Sequence, residues 1–253
     1  MATEWDRGVR VDEPAAPPGP PAGDASGPPE VVGVLTPPVE SPRSVDGVLR
    51  ALDIAIAGTA LLLLAPLIGL FALLILVTSG RPVLYRGARI GRGGRPFTMV
   101  KLRTLRPNAE ARLGTAYGEE LSARTEDEVT RVGRWLRASQ LDEVPQLWNV
   151  LRGDMSLVGP RPIRPALLEA VLADYPDYWQ RLSVRPGLSG FAQTRMGRED
   201  AWGEKLVHDL EYIADRSVRL YLRVVVGTAW RLVRQSASGL AALIGRPRGT
   251  AHR

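Results

Sequence analysis

The 253-residue chain contains no cysteine. Disulfides, zinc-thiolate sites and a cysteine nucleophile are thereby excluded. Histidine is almost as scarce, with only His208 and the penultimate His252, which argues against a multi-histidine metal centre or a histidine relay. There is no G-x-x-x-x-G-K-[ST] loop, no G-x-G-x-x-G opening a helix and no H-E-x-x-H. Nothing has the form of a zinc finger or of a nucleic-acid module with stacking aromatics, so nucleic acid is not an expected partner. Any catalysis must rest on carboxylates, hydroxyls, Lys/Arg or a hard metal ion.

Charge is missing from one long stretch. Ile54 to Gly80 holds no ionisable residue and is long enough to cross a bilayer. Basic residues flank both ends: Arg43 and Arg50 before it, and Arg81, Arg86, Arg89, Arg92 and Arg95 after it. The positive-inside rule places both flanks in the cytoplasm, although Asp46 and Asp53 soften the first. Pro66, near the middle of the run, removes a helix hydrogen bond and kinks the axis. A re-entrant helix over 45–80 satisfies both facts. An ordinary kinked span stays open as the other reading.

Acid is absent from Arg81–Arg106, which carries eight basic residues. Val83–Tyr85 and Phe97–Leu102 read as strands around Gly91-Arg92-Gly93-Gly94, the pattern of a hairpin. Glu126–Arg137 reads as a helix. So does Leu141–Leu151, where Leu141, Val144, Leu147, Trp148 and Leu151 share a face at helical spacing. Pro165–Leu182 reads as a helix interrupted at Pro176. Ser217–Arg234 reads as a basic amphipathic helix, suited to a membrane surface or to packing on the domain. Ten of the 21 prolines fall in residues 1–44, which read as a disordered tail. The fold class expected is α+β: a small mixed catalytic domain over 81–235, a proline-broken membrane helix, interfacial amphipathic helices and a flexible C-terminal tail over 236–253. Apolar residues make up 45%, enough for a core. The net charge of +6 points to a polyanionic partner.

Two motifs stand out. Asp142 and Glu143 adjoin at a helix start, where a carboxylate or a bound phosphate is favoured. Asp142 lies opposite the apolar face and is free to face a site. Ser139-x-x-Asp142 also fits a capping box, which leaves a structural role open. Gly159-Pro160-Arg161-Pro162 is a stiff turn presenting one arginine, a side chain able to grip phosphate with a rigid fork.

LDEVPQLWNVLRGDMSLVGPRP resembles the hallmark block of the bacterial sugar transferases, the monotopic phosphoglycosyl transferases that act on polyprenol phosphate. RALDIAIAGTALLLLAPLIGL, RPVLYRGARIGRGGRPFTMVKLRTL, RPGLSGFAQ and KLVHDLEYIADRSVRLYLRVVVGT resemble further blocks of that family in the same order. The likeness covers roughly Arg50–Val233 and fits the family's compact form. It implies that the Asp-Glu dyad falls on Asp142 and Glu143, the Pro-Arg-Pro motif on Pro160-Arg161-Pro162, and the break of a re-entrant helix on Pro66. The family's usual Ser-Pro is here Ala65-Pro66, and an Asp common near Tyr221 is missing.

The activity implied is transfer of a sugar 1-phosphate from a UDP-sugar to polyprenol (undecaprenyl) phosphate, with release of UMP. It would start surface glycan or exopolysaccharide assembly at the cytoplasmic face of a bacterial inner membrane. Asp142 would be the nucleophile of a covalent aspartyl intermediate. Asp142 and Glu143 would hold Mg²⁺, with Mn²⁺ as a substitute. Glu143 would help the metal ion or handle the proton on the incoming lipid phosphate. Arg161, with Lys101, Arg103, Arg134, Arg137 and Arg185, would meet the phosphates. The rival readings are a non-catalytic membrane adaptor that binds anionic lipid and a phosphotransferase with another acceptor.

Overall fold

A computed structural model describes residues 43–113, 118–196 and 202–244. Apart from Arg43 and Ser44, the expected disordered tail over 1–44 lies outside the described residues. The fold is mixed, mostly helical, with two small sheets.

The chain enters on a single long helix, α1 (Ser44–Ser79), which contains Pro66 without interruption where the sequence reading expects a break. One stripe of α1 is buried at helical spacing through Leu49, Asp53, Ala57, Phe71 and Ile75. Its first half joins the main core with Leu147, Val150, Met155, Tyr212 and Tyr221. Its second half joins a separate cluster with Leu102 and Leu136. Leu61 packs on the first cluster and Leu67 on the second, so Pro66 falls at the seam. The opposite stripe is apolar yet open, with Leu62 and Val77 each 76% exposed.

After α1 comes the expected hairpin, β1 (Leu84–Ile90) and β2 (Pro96–Leu102), paired antiparallel from Leu84↔Leu102 to Ile90↔Pro96. Gly93 (φ 67) and Gly94 (φ 75) take the left-handed conformations the turn requires. Three helices follow: α2 (Ala109–Leu113), α3 (Gly118–Glu128) and α4 (Arg131–Ser139). The helix expected over Glu126–Arg137 is therefore two. Thr130 has an extended backbone, and its hydroxyl accepts from Gly133 N at 2.9 Å, so it caps α4 instead of continuing α3.

The expected helix over Leu141–Leu151 also differs. Leu141–Gln146 is a 3₁₀ turn containing Pro145, and only Leu147–Arg152 is α-helical (α5). At three residues per turn the α-helical phase is lost. The face expected to be buried is thus broken up: Trp148 is 52% exposed, while Asn149 and Val150 are buried.

The remaining elements are β3 (Ser156–Val158), α6 (Pro165–Asp174), a 3₁₀ segment (Pro176–Ser183), β4 (Gly187–Ser189), α7 (Phe191–Arg195), α8 (Trp202–Asp215) and α9 (Val218–Ile244). β3 and β4 pair in parallel, Ser156↔Gly187 and Val158↔Ser189. The interruption at Pro176 is where the sequence places it. Helix α9 packs on the core through Tyr221 and Val224 and leaves Leu222, Val226 and Trp230 outward. It continues to Ile244, past the boundary expected at 236, and residues 245–253 lie outside the described residues.

Candidate active site

Two local devices bring the conspicuous residues together. The first is Asn149, fully buried at the start of α5. Its Oδ1 accepts from Val100 N at 3.0 Å, and its Nδ2 donates to Thr98 O at 2.7 Å. The side-chain amide thus continues the β2 ladder as a neighbouring strand would. This fastens the 3₁₀ turn against β2 and sets Asp142 beside Lys101. The second device is a close approach of backbones. A Cβ on Gly159 would lie 2.4 Å from Arg185 O, and one on Gly187 would lie 2.1 Å from Gly159 N. Gly159 N donates to Ser189 O, and Gly187 N to Pro160 O, both at 2.9 Å. Ile90 N donates to Ile163 O on the far side of the turn. Held at both ends, Pro160-Arg161-Pro162 directs Arg161 Nη2 to Glu143 Oε1 at 2.9 Å.

Asp142 is 4% exposed. Its carboxylate makes no hydrogen bond among the described residues. Burial pushes its pKa up to about 6. Lys101, Arg137 and Arg161 pull it down, and the adjacent Glu143 pushes it up. Burial lowers the pKa of Lys101, opposed by the charges of Asp142 and Glu143. The negative charge of Glu143 raises that of Arg161. The centre is a largely buried carboxylate, without hydrogen bonds among the described residues, facing three cations, with a second carboxylate already paired. Such an arrangement suits a nucleophile for an anionic substrate. The capping role for Asp142 finds no support in the geometry. Ser139 Oγ turns back to Trp135 O and Leu136 O, and Gln140, in the left-handed region, precedes the turn.

The family model for bacterial sugar transferases matches residues 45–235. The chain belongs to the bacterial sugar transferase family. Among similar proteins, a UDP-glucose:undecaprenyl-phosphate glucose-1-phosphate transferase of Caulobacter vibrioides is 42% identical over 192 residues, 73% of this chain and 69% of that protein. A UDP-N-acetylgalactosamine-undecaprenyl-phosphate N-acetylgalactosaminephosphotransferase of Aeromonas hydrophila is 37% identical over 71% of this chain and 42% of that protein. A UDP-glucose:undecaprenyl-phosphate glucose-1-phosphate transferase of Escherichia coli is 34% identical over 72% of this chain and 39% of that protein. The chain thus matches less than half the length of two of these relatives.

Within this family member, three of the six basic candidates, Lys101, Arg137 and Arg161, act on Asp142. The other three lie away from Asp142, two of them engaged elsewhere. Arg103 is buried and donates through Nη2 to Ser79 O at 2.7 Å and Gly80 O at 2.8 Å, capping the end of α1. Arg134 is exposed on α4. Arg185 donates through Nε to Gly153 O at 2.9 Å and lines a separate cavity. Among the described residues no cluster of three or more His, Cys, Asp or Glu gathers to hold a metal. Two adjacent carboxylates still fit Mg²⁺, which keeps waters and takes substrate phosphates as ligands.

Sequence reading missed two residues. Asn149 gave no signal, because its partners are backbone atoms about fifty positions earlier. Asp53 was read only as a charge softening the first basic flank. It is buried and accepts from Leu157 N (2.8 Å), Ser156 Oγ (2.9 Å) and Tyr221 OH (2.9 Å), tying α1 to β3 and α9. The signal available was a carboxylate directly adjoining a long apolar run, a costly place for an unpartnered charge.

Proposed function

We propose that this chain transfers a sugar 1-phosphate from a UDP-sugar to polyprenol phosphate through an aspartyl intermediate on Asp142. The observation that carries this reading is the buried Asp142 carboxylate, which has no hydrogen bond among the described residues and faces Lys101, Arg137 and Arg161. The relatives' substrates supply the chemical class. An Asp142 oxygen attacks the sugar-linked phosphorus. The bond to the bridging oxygen breaks, UMP leaves, and a sugar-phosphoryl aspartate remains. An oxygen of polyprenol phosphate then attacks the same phosphorus, restoring the carboxylate and giving a polyprenol diphosphosugar. Glu143 receives the proton of the incoming lipid phosphate. Lys101, Arg137 and Arg161 offset the phosphate charge that would otherwise repel the carboxylate. Mg²⁺, or Mn²⁺ in its place, would be held by Asp142 and Glu143 and would supply further charge neutralisation when bound.

In this reading α1 is a re-entrant element, and the domain sits on the cytoplasmic face of the inner membrane. Both halves of α1 pack on the same domain, and its outward stripe is apolar. The exposed Trp135, Trp148 and Trp230 suit the headgroup layer. One substrate is soluble and the other presents its phosphate at that layer, so neither needs to cross the bilayer.

The deciding experiment is incubation of the purified chain with polyprenol phosphate and a panel of UDP-sugars. Without lipid, the proposal expects a burst of at most about one UMP per enzyme and a labelled sugar phosphate trapped on Asp142. A ternary-complex rate law with no burst contradicts the aspartyl intermediate. Absence of any lipid diphosphosugar contradicts the activity.

A further inference from the structure

A cavity of about 60 Å³ lies between the first turns of α1, the β1–β2 turn, β3 and the segment entering β4. Asp46, Arg50, Asp53, Arg92, Arg185 and Arg216 all line it. None of them belongs to the Asp142 cluster. By a measure on which one water needs roughly 10–15 Å³, the space holds several waters or one tetrahedral oxyanion.

The two carboxylates are already engaged. Asp46 pairs with Arg216, Oδ1 to Nε at 2.9 Å and Oδ2 to Nη2 at 3.3 Å. Asp53 is held by Ser156, Leu157 and Tyr221, with Arg50 at 4.0 Å. Arg50 directs its two Nη atoms to Val150 O (2.6 Å) and Leu151 O (2.8 Å). Arg185 holds Gly153 O through Nε, and its Nη atoms have no partner among the described residues. Carbonyl oxygens fix these guanidinium groups in place; that of Arg185 has no carboxylate partner among the described residues, while that of Arg50 stands 4.0 Å from Asp53. A half-buried, oriented arginine with unused donors is a preorganised site for an oxyanion. Arg50 lies one helical turn before the uncharged run that starts at Ile54. On the membrane reading of α1, this puts the cavity at headgroup level, where phosphate is abundant.

We propose that this cavity is a second phosphate site, separate from the Asp142 centre, which takes the headgroup phosphate of an anionic phospholipid through Arg185 and Arg50. It goes beyond the transfer reaction, and its test reads no sugar transfer.

The test uses the full chain in nanodiscs of phosphatidylcholine, with or without phosphatidylglycerol, and hydrogen exchange over residues 156–158 and 184–187. A third arm adds inorganic phosphate to the phosphatidylcholine discs. With ligand at ten times its Kd, exchange through the ligand-free state slows about tenfold. We expect this slowing with phosphatidylglycerol in the native chain and in Arg161→Gln, and its loss in Arg185→Gln. Arg185→Lys keeps the charge without the fork and should retain only part of the protection. It serves in place of Arg185→Gln if that variant does not fold. Protection by inorganic phosphate alone supports the phosphate site and overturns the lipid as its source. Protection that survives in Arg185→Gln but vanishes in Arg161→Gln overturns the second site. So does absence of protection in every arm.

Discussion

Asp142 carries a charge that its surroundings only partly support, and two measurements follow from that. Attack requires the ionised carboxylate. Without Mg²⁺ the pKa is raised to about 6, so the acid limb of kcat/KM for UMP release should lie above the value of about 4 of an ordinary aspartate, with bound Mg²⁺ drawing it down by favouring the ionised form. Lys101→Met removes the strongest opposing charge and should move that limb to higher pH. Glu143→Gln removes a repulsive charge and frees Arg161, so it should move the limb to lower pH. A limb that ignores both substitutions belongs to another group. The second measurement is stability. A raised folded-state pKa means the native state holds the Asp142 proton more tightly than the unfolded chain. The charge therefore costs nothing below the unfolded value and its full penalty above about 6, on the order of 3 kcal/mol. Asp142→Asn should abolish transfer yet raise the melting temperature at pH 8, with the gain shrinking as pH falls from about 6 towards 4. Chelator should likewise stop UMP release, and Mg²⁺ or Mn²⁺ should restore it. Asp142, Glu143 and Arg161 were legible in the sequence because short stiff motifs carry them. Lys101 and Arg137 were legible only as charges among many, since nothing local says which arginine turns towards the dyad.

At the scale of elements, the hairpin, the interruption at Pro176 and the long apolar helix could be read from turn residues and runs. The stretch from Leu141 to Leu151 could not, because its apolar spacing fits an α-helix while Pro145 and the contacts of Asn149 impose a 3₁₀ turn first. That turn places Asp142 indoors, where a regular helix would have turned it outward. Asn149 is therefore a positioning residue. Asn149→Ala leaves Val100 N and Thr98 O unpaired, each costing about 1–3 kcal/mol if buried. The expected result is a lower melting temperature together with a displaced pH limb for UMP release, because the turn loses its hold on β2. A lower melting temperature with an unmoved limb would make the role of Asn149 purely structural. Gly159→Ala tests the other anchor. Its added methyl would meet Arg185 O at 2.4 Å, which forces the β3–β4 pair apart and should weaken the Glu143–Arg161 pair as well as the fold.

For the whole molecule, the question is which sides of the membrane the ends of α1 occupy. At about 1.5 Å per residue, a 36-residue helix is far longer than a bilayer core of roughly 30 Å. A simple span would carry its ends to opposite sides, and a single domain could then receive only one of them. Here Leu49 and Ala57 at one end and Phe71 and Ile75 at the other all pack on the same body. Arg103 fastens the far end through Ser79 O and Gly80 O. Arg50 fastens the near end through Val150 O and Leu151 O. Breaking these contacts would leave the buried Arg103 and the half-buried Arg50 without their carbonyl partners, which on the same-side reading opposes a spanning form. The absence of cysteine makes the test clean. Glu40→Cys and Arg95→Cys, introduced singly, should both resist a membrane-impermeant thiol reagent in intact cells and both react after lysis. Reaction of Glu40→Cys from outside would defeat the same-side topology. Pro66→Leu restores a helix hydrogen bond at the seam between the two packing clusters and should bias α1 towards a span. The expected sign is partial outside labelling of Glu40→Cys in that background, with transfer activity falling in proportion.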